Sequence, residues 1–421
     1  MIYDIIILGG GIAGLYSAYK LLQKNENLKI LILEKNNYLG GRMKTYQKTI
    51  NGITYYQEEG AWRFNSNHKL LLKLIHELGL KDNLRNLDLK KDFIPSTKYD
   101  EKFINIDPTI YINKIIEYSR KDEKLTIQSY TLKEYIGTIL KNDELKFIID
   151  SFGYYKLLDM NAYNGILLLK SGVKFDLKFY TIYPGVSIII DKIKSKILEN
   201  NGEIVLNTNV LNIDFNEINR LFTIKTNNNG IYTSKKCILA LPKQNLIKFS
   251  ILKSIKKDLE SIEVLNMSKI FAIFNKKNIW FKNIGHVFTN NKLRQIIPRD
   301  KENGSILLSY CDGKFAKYWK NLKDKKKDLF LQEIKKNIFK IFKIKIQDPL
   351  FTKFIYWNNA AGYWKKNKDS TVISKKILHP YKDIPLYICG ENYADVQAWM
   401  ESALNTSNKV VNKIIKNKYV I

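Results

Sequence analysis

The fold is decided by two short stretches near the beginning of the chain, Asp4-Ile-Ile-Ile-Leu-Gly-Gly-Gly-Ile-Ala-Gly14 and Lys29-Ile-Leu-Ile-Leu-Glu34. The residues from Ile5 to Leu8 form a short apolar run that is typical of a buried parallel strand. A helical spacing of apolar residues begins directly after the glycines. The pattern therefore predicts a strand, a tight turn and a helix, followed by a second buried strand that ends at an acid.

The spaced glycines have separate physical roles. Gly9 permits the turn, Gly11 lets backbone N–H groups approach a pyrophosphate, and Gly14 lets the helix pack close to the strand. Glu34 lies 20 residues beyond Gly14, where a carboxylate can accept hydrogen bonds from ribose hydroxyls. A secretory signal peptide is the alternative, but Asp4 stands where a basic region is expected. We therefore predict a dinucleotide-binding site.

The charge of the chain raises the question of a nucleic-acid partner. The sequence has 70 Lys and Arg against 41 Asp and Glu, a formal net charge of +29. The lysines are mostly interspersed with acids, as in Lys323-Asp-Lys-Lys-Lys-Asp328. Lys, Asn and Ile are also frequent at positions that carry no motif, as expected from an AT-rich genome. Nucleic acid is therefore an improbable partner despite the basic charge.

The cysteines and the hydropathy of the chain indicate its cellular compartment. Cys237, Cys311 and Cys389 are far apart, which gives neither a disulfide framework nor a metal site. The longest apolar stretch, Ile5 to Tyr19, is shorter than the ~20 residues that cross a bilayer. We expect a protein of a reducing, cytoplasmic compartment, with no metal, signal peptide or membrane span.

Two further motifs follow the second strand. Gly40-Gly41-Arg42 places a cation with a planar, multi-donor head close to the same pyrophosphate. Glu59-Gly60-Ala61-Trp62 precedes a predicted helix from about Asn67 to Leu78, in and beside which His68 and His76 are expected to be surface or packing residues.

These motifs together resemble the flavin-containing amine oxidase family, which includes monoamine, polyamine and L-amino acid oxidases and flavin histone demethylases. Carotenoid desaturases and protoporphyrinogen oxidases share the same N-terminal set, so the resemblance implies FAD before it implies a particular chemistry. It also implies that the backbone of Val210 contacts the adenine. The cofactor-binding residues predicted in the first half of the chain are Gly9, Gly11, Gly14, Glu34, Gly41, Arg42, Gly60, Ala61, Trp62 and Val210.

The segment Asn266-Met-Ser-Lys269-Ile-Phe bears on chemistry. Lys269 interrupts an apolar, strand-like run, where an uncompensated buried ammonium would be costly. In the amine oxidases, the lysine at this place bonds through a water to flavin N5, so the resemblance implies a catalytic role for Lys269. A strand-edge lysine in a lysine-rich protein is the alternative.

An aromatic segment follows, Tyr356-Trp357-Asn-Asn-Ala-Ala-Gly362-Tyr363-Trp364. It resembles the family segment that passes the substrate cavity, with fewer residues than expected between the first tryptophan and the glycine. The resemblance places Trp357, Tyr363 and Trp364 on the cavity wall, where aromatic faces suit an amine. Ordinary core packing is the alternative.

The last motif resembles the element that closes over the flavin. It contains Gly390-Glu391, in which the glutamate would meet the ribityl or phosphate end, and then a helix that begins near Met400. Serines stand at positions 187 and 402, where the family usually has glycine. The cysteine that tethers flavin in monoamine oxidases is missing, so we expect noncovalent FAD.

The resulting prediction is an α/β protein. An FAD-binding Rossmann-like (GR2-type) domain of residues 1–80, 183–262 and 380–421 is interleaved with a mixed α+β substrate domain of residues 81–182 and 263–379, which consists of a helical insert and a mixed sheet. By resemblance, the activity would be oxidation of a small-molecule amine by hydride transfer to flavin N5, with oxygen as the second substrate and an imine and hydrogen peroxide as products. An FAD-dependent desaturase or porphyrinogen-type oxidase, and a flavin-binding scaffold without oxidase activity, remain the alternatives.

Overall fold

The glycine-rich turn joins a buried strand to a buried helix, as the sequence predicts. A computed structural model describes residues 1–87, 91–104, 106–172 and 177–416. The last five residues of the predicted 380–421 segment lie outside the described residues. In chain order, the strands are Ile2–Leu8 (β1), Ile30–Leu33 (β2), Thr45–Ile50 (β3), Ile53–Glu58 (β4), Phe64–Asn65 (β5), Leu84–Leu87 (β6), Lys91–Phe93 (β7), Phe179–Ile182 (β8), Glu203–Val205 (β9), Val210–Asn216 (β10), Leu221–Thr226 (β11), Ile231–Leu239 (β12), Ile262–Ile273 (β13), His286–Phe288 (β14), Gln295–Asp300 (β15), Ser305–Asp312 (β16), Phe351–Trp364 (β17) and Leu386–Ile388 (β18).

The α-helices are spread along the whole chain, with a cluster in the predicted insert. They are Ile12–Leu22 (α1), Lys69–Glu77 (α2), Thr109–Tyr118 (α3), Lys124–Gln128 (α4), Leu132–Ile139 (α5), Asn142–Ser151 (α6), Ala162–Gly172 (α7), Ser187–Glu199 (α8), Lys243–Leu246 (α9), Lys256–Leu259 (α10), Gly313–Lys325 (α11), Lys327–Phe342 (α12), Ser370–Leu378 (α13) and Met400–Lys416 (α14). Short 3-10 turns lie at Lys81–Asn83, Glu101–Phe103, Lys156–Asp159, Ser250–Ile255, Lys276–Asn278 and Glu391–Tyr393.

Strand β1 lies in the interior of a seven-stranded sheet. Its order is β10-β11-β12-β1-β2-β9, and β18 also pairs with β12. The pairs β12–β1, β1–β2, β2–β9 and β12–β18 are parallel, whereas β10–β11 and β11–β12 are antiparallel. Helix α1 packs against β1 and β2 and also contacts α8 and α14, and the strands β1 and β2 are buried along most of their length. This arrangement confirms the predicted α/β class.

A second, six-stranded sheet is formed mostly by later residues. Its order is β17-β13-β16-β15-β14-β7, and apart from the parallel pair β14–β7 its pairs are antiparallel. Smaller sheets join β3 to β4 and place β8 between β5 and β6. The strands of the two large sheets alternate in blocks along the sequence.

The hydrophobic cores of the protein do not divide at the predicted domain boundaries. Trp364, Ile377 and Leu378 fall in the predicted substrate segment 263–379, yet they pack in the core around the seven-stranded sheet. The helical insert has its own core, built around Phe103, Phe147 and Leu132 among others. The boundaries stay a prediction.

Local boundaries differ from the sequence pattern in one instructive place. The amphipathic stretch from Leu132 to Phe152 is two helices, α5 and α6, because Leu140 has an extended backbone with ψ of 150°. Apolar periodicity continues across that break, so the pattern does not reveal it. Within the described ranges, no helix is long and apolar enough to cross a membrane and no group of His, Cys, Asp and Glu is arranged to hold a metal ion.

The closest approach in the strand–turn–helix unit is at Gly14, and it makes a stability prediction. A Cβ at Gly14 would lie 2.0 Å from the carbonyl oxygen of Gly9, which is backbone and cannot move away cheaply. Gly14→Ala should therefore lower the free energy of unfolding by at least the ~1–3 kcal/mol typical of overpacking, measured by chemical denaturation.

The matched control is Gly137→Ala, the same substitution inside helix α5. There the added Cβ comes no closer than 3.4 Å to a neighbouring atom, the Cδ2 of Leu145. This variant should be neutral or more stable by up to ~1 kcal/mol, since alanine is the better helix former. Equal stability of the two variants would contradict the predicted packing.

Candidate active site

A cavity of about 740 Å³ is lined by residues of both large sheets and of the helical insert. It reaches from the glycine-rich turn after β1 to the middle of β13. Its size is within the range of small-molecule and cofactor sites, ~300–1,000 Å³. Of the cofactor residues that the sequence predicts, the following line it: Gly9, Gly11, Glu34, Gly41, Arg42, Gly60, Ala61, Trp62, Val210, Gly390, Glu391 and Met400.

One end of the cavity faces the beginning of helix α1. Gly11 is the N-cap residue, no side chain caps the helix, and its first turn contains no acid. A Cβ built on Gly11 meets nothing within 4 Å, so the space beside it is open. Uncapped N–H groups and the positive end of the helix dipole next to open space suit a phosphate. Gly14 does not line the cavity; its role is the packing described above.

Glu34 lies at the same end, where the sequence predicts a ribose acceptor. Its carboxylate accepts hydrogen bonds from the backbone N–H of Gly10 at 2.8 Å and from the backbone and side-chain N–H groups of Asn36 at 2.9 and 2.7 Å. A carboxylate has about four lone-pair directions, so three are used within the protein. Glu34 therefore shapes the glycine turn itself, in addition to the predicted ribose contact.

Arg42 and Glu391 form an ion pair in the middle of the cavity wall. The Nη1 group of Arg42 donates to a carboxylate oxygen of Glu391 at 2.9 Å and to the carbonyl oxygen of Ala360 at 2.6 Å. The Glu391 carboxylate also accepts from the backbone N–H of Ala398 at 2.7 Å and of Gly362 at 3.1 Å. Both side chains are thus fixed before any ligand binds.

Lys269 lies in the centre of β13, and its side chain reaches the cavity wall. The Nζ group donates to the carbonyl oxygens of Glu58 at 2.9 Å and Gly60 at 2.6 Å, and it lies 4.8 Å from the ring centroid of Tyr310. The residue is only 3% exposed. Two of the three donor positions of an ammonium are therefore used, and one remains.

Burial shifts the pKa values of Lys269 and of two charged residues close to it. Burial lowers the pKa of Lys269 well below the usual lysine value, opposed by the carboxylate of Glu58. Burial also raises the pKa of Glu58, whose carboxylate accepts from the backbone N–H of Val186 and the hydroxyl of Thr45, both at 2.9 Å. Burial lowers the pKa of Arg299 to about 10. Of these three groups Lys269 lines the cavity, and a perturbed group in such a position identifies a candidate functional site.

Of the three aromatic residues that the resemblance places on the cavity wall, the structure places only Trp357 there. Trp357 lines the cavity, and its indole N–H donates to the carbonyl oxygen of Glu59 at 2.8 Å. Tyr363 is instead buried in the core of the helical insert. Trp364 is fully buried in the core of the seven-stranded sheet, and its indole N–H donates to the carbonyl oxygen of Ala394.

The reason is an irregularity in the pairing of β13 with β17. Met267 pairs with Trp357, but Leu265 pairs with Ala361, so β17 carries two extra residues between these pairs. Such a bulge bends a strand and re-aims the side chains beyond it. The residues between these pairs, Asn358, Asn359 and Ala360, form part of the cavity wall.

Several wall residues carry no role in the sequence prediction. Arg63 directly follows a recognised motif, and its charge next to Trp62 is the signal that could have identified it. Tyr310 and Asp312 end a strand in the least informative part of the sequence. Trp399 packs edge-on against His68 with ring centroids 4.7 Å apart, in keeping with the packing role predicted for that histidine. These wall residues are Arg63, Tyr310, Asp312 and Trp399.

The donor set fits a dinucleotide. An uncapped helix start, open space at Gly11, a carboxylate at the end of β2 and a partly exposed arginine all lie on one wall. The beginning of α14, at Met400, lies on the same cavity.

Known proteins of similar sequence agree with this reading. An uncharacterized protein of Acanthamoeba polyphaga mimivirus is 21% identical over 97% of this chain and 93% of its own length. The probable flavin-containing monoamine oxidase A of Dictyostelium discoideum is 26% identical over 57% of this chain and 58% of its own length.

Solved structures show the same fold. A putrescine oxidase double mutant with redesigned cofactor binding matches with a TM-score of 0.79, at 15% identity and over 99% of both chains. A protoporphyrinogen oxidase-like protein from Exiguobacterium sp. 255-15 matches with a TM-score of 0.75, again at 15% identity over 99% of both chains. Residues 12–415 match the family model described as flavin containing amine oxidoreductase, and the chain therefore belongs to this family of FAD-dependent oxidoreductases.

Proposed function

We propose that the protein is an oxidase of a small-molecule amine that binds FAD noncovalently. Bound FAD would supply the hydride acceptor, N5, and would return the electrons to oxygen as hydrogen peroxide. The substrate carbon that bears the nitrogen loses a hydride, the amine becomes an imine, and water hydrolyses the imine. The protein's own residues hold the cofactor, exclude water and place a lysine beside the reacting atoms.

The observation that carries this proposal is the position of Lys269. It is a buried lysine on the wall of the same cavity that the glycine turn and the start of α14 line, and its two hydrogen bonds are to main-chain carbonyls. The alternative is a surface lysine at a strand edge, and such a side chain would be far more exposed than the 3% of Lys269. The remaining donor position is available to an ordered water in the cavity.

The proposed contacts are assigned to separate parts of the cofactor. The start of α1 would meet the pyrophosphate, with Arg42 as its cation, while Glu34 and the backbone of Val210 would meet the adenosine. Glu391 would act mainly by holding Arg42 and the loop before α14. The predicted domain boundaries fit this division, with the substrate segment supplying β13 and the helical insert.

Noncovalent binding follows from the cysteines. Cys237, Cys311 and Cys389 are all buried and free, and none of them lines the cavity. Burial raises the pKa of each thiol, to about 12 for Cys311 and about 11 for Cys389. A thioether to the flavin therefore has no candidate sulfur.

The alternatives make different demands on the site. A desaturase or porphyrinogen-type oxidase has no evident use for a buried lysine next to Glu58 and Gly60. A scaffold is suggested by the serines at positions 187 and 402, but Ser187 forms a reciprocal pair with Thr45: its hydroxyl accepts from the N–H of Thr45 at 2.8 Å, and its own N–H donates to the Thr45 hydroxyl at 3.1 Å. The turn that contains Ser187 is therefore still hydrogen-bonded to Thr45 in β3.

The proposal is tested by peroxide release from the FAD-loaded protein across a panel of monoamines, polyamines and amino acids. Release with at least one of them, dependent on FAD, is the expected outcome. Flavin binding without peroxide from any of them would favour the scaffold, and oxidation of a porphyrinogen or carotenoid alone would favour the second alternative.

Acid precipitation should release the flavin into the supernatant, because the cavity offers no thiol for a covalent bond. The released flavin is quantified by its visible absorbance. Flavin that stays with the protein pellet would show that the noncovalent assignment is wrong.

Arg42→Ala should weaken FAD binding about tenfold or more, since a charge-assisted hydrogen bond contributes ~1.5–3 kcal/mol. Glu34→Ala should weaken it as much, and should also lower the unfolding temperature, because three N–H groups of the turn lose their acceptor. FAD affinity is measured by flavin fluorescence on reconstituted apoprotein. Arg120→Met, at an exposed arginine, is the control and should bind FAD normally. Unchanged affinity in both test variants would refute the proposed contacts.

Lys269→Met should preserve the apolar shape of the side chain and the FAD content, but should slow reoxidation of dithionite-reduced flavin by oxygen in stopped flow. The reason is electrostatic: a cation and an ordered water favour reduction of oxygen nearby, and methionine supplies neither. Because burial lowers the pKa of Lys269, the ammonium loses its proton as pH rises through a value below the usual 10.5. The wild-type rate should therefore fall with rising pH, and the variant's rate should stay flat. Identical pH profiles would return Lys269 to a structural role.

A further inference from the structure

Helix α12 has two sides of opposite character. On its inner side, four residues belong to the core that packs on the second sheet: Phe330, Ile334, Ile338 and Ile341. At 3.6 residues per turn, five exposed residues share the opposite side within an arc of about 100°. They are Leu329, Gln332, Lys336, Phe339 and Lys340. The helix is therefore packed on the protein along one side and faces away from it along the other.

The segment that contains this helix concentrates positive charge. Residues 325–345 contain eight lysines and two acids, so 21 of the 421 residues carry six of the 29 net charges of the chain. One of the acids, Glu333, already accepts hydrogen bonds from Tyr318 and Asn337, both at 3.0 Å. It also pairs with Lys292 at 3.4 Å, a lysine from outside the segment. Little negative charge is left to offset the lysines.

Most of these lysines have no acid beside them. Lys335 pairs with Asp348, and Asp324 just before the segment pairs with Lys320 in α11. Across the ranges that the structure describes, no carboxylate forms an ion pair with the exposed lysines of the segment, which are Lys325, Lys326, Lys327, Lys336, Lys340, Lys343 and Lys345. Their field therefore extends into solvent over about a Debye length, ~8–10 Å at physiological salt.

Two large apolar side chains lie among these lysines. Leu329 and Phe339 are each 45% exposed, on the same side of α12 as Lys336 and Lys340. Apolar surface in water is a cost that a partner can remove by covering it. Lysines and large apolar side chains on one exposed helix side are typical of helices that lie on an anionic bilayer, with the charges at the headgroups and the apolar groups at the acyl boundary.

Two other partners suit this side less well. A second copy of the chain on a two-fold axis would bring the same lysines against each other, and their repulsion would oppose the contact. A nucleic acid would attract the lysines, but binding to single strands depends on stacking on aromatic rings, which Leu329 cannot provide. An anionic bilayer uses both the lysines and the two apolar side chains.

We propose that the outward side of α12, with the lysines at both of its ends, is a docking surface for an anionic lipid bilayer. The contact is peripheral and reversible, because it consists of a few charges and two apolar side chains. It goes beyond the proposed function and does not depend on it, since no residue from 325 to 345 lines the cavity. Docking would leave the cofactor site intact.

Co-sedimentation with vesicles tests the surface. The full chain should bind vesicles of phosphatidylcholine mixed with phosphatidylserine, and should not bind vesicles of phosphatidylcholine alone, at about 0.1 M salt. The triple variant Lys336→Gln, Lys340→Gln and Lys343→Gln should bind at least about tenfold more weakly, because each lysine near an anionic surface strengthens binding about fivefold.

The matched control removes the same charge from another helix. Three exposed lysines of α8 stand between two acids, Asp191 and Glu199. The control variant is Lys192→Gln, Lys194→Gln and Lys196→Gln. It should bind the anionic vesicles as the wild type does, whereas an effect of overall charge alone would weaken both triple variants equally and would overturn the proposal.

The apolar side chains are tested separately. Leu329→Ser with Phe339→Ser keeps every lysine and should still weaken vesicle binding severalfold. The three native cysteines are buried, so Phe339→Cys can be labelled selectively with an environment-sensitive fluorophore. The emission of the label should shift to the blue on anionic vesicles and should not shift on a short DNA duplex.

Several results would contradict docking to lipid. They are no binding to anionic vesicles, equal binding by the wild type and the α12 triple variant, and unchanged binding by the serine variant. Tighter binding to the DNA duplex than to the vesicles would assign the surface to nucleic acid, and a dimer in sedimentation velocity that the serine variant abolishes would assign it to a second copy. Chemical denaturation and FAD loading should be normal in all variants, because the substituted side chains are exposed. If the α12 triple variant does not fold, Lys326→Gln with Lys327→Gln replaces it and should weaken binding about tenfold or more.

Discussion

One buried carboxylate, that of Glu391, holds together the chain segments that meet at the cavity. It accepts hydrogen bonds from Gly362 in β17, from Ala398 just before α14, from the side chain of Asn392 and from Arg42 after β2. Arg42 lies 349 residues from Glu391 in the sequence, whereas the other three donors lie within 29 residues of it. An ionised carboxylate so deeply buried is tolerable only when its oxygens are fully bonded. The geometry of the cofactor end and the attachment of the second sheet therefore depend on the same four donors.

The predictable part of the fold was local. The strand, turn and helix from Ile2 to Leu22 follow from apolar runs and spaced glycines, and the α/β class follows from this unit together with the second buried strand, β2. Lys269 could be singled out because a lysine within an apolar strand demands an acceptor. Its actual acceptors, the carbonyls of Glu58 and Gly60, are more than 200 residues away, and no local pattern identifies them.

The part that could not be predicted depends on register and on distant partners. The two extra residues of β17 decide that Trp357 faces the cavity while Tyr363 and Trp364 enter two different cores. Nothing in the spacing of those aromatic residues reveals a bulge, because its cause is the pairing with β13.

The sheet around β1 has a consequence for how the chain is made. Residues Ile5 to Leu8 pair on one side with β2, which follows within a few dozen residues, and on the other with β12; β12 in turn pairs with β18, at residues 386–388. At translation rates of about 5–20 residues per second, β18 leaves the ribosome roughly 20–80 s after β1. One apolar edge of the first strand has no partner until β12 follows, roughly 10–50 s after β1 at the same rates. Helix α1 lacks the cover of α14 for the whole of the longer interval. The nascent chain therefore exposes apolar surface that is prone to aggregation until its C-terminal helix has been synthesised.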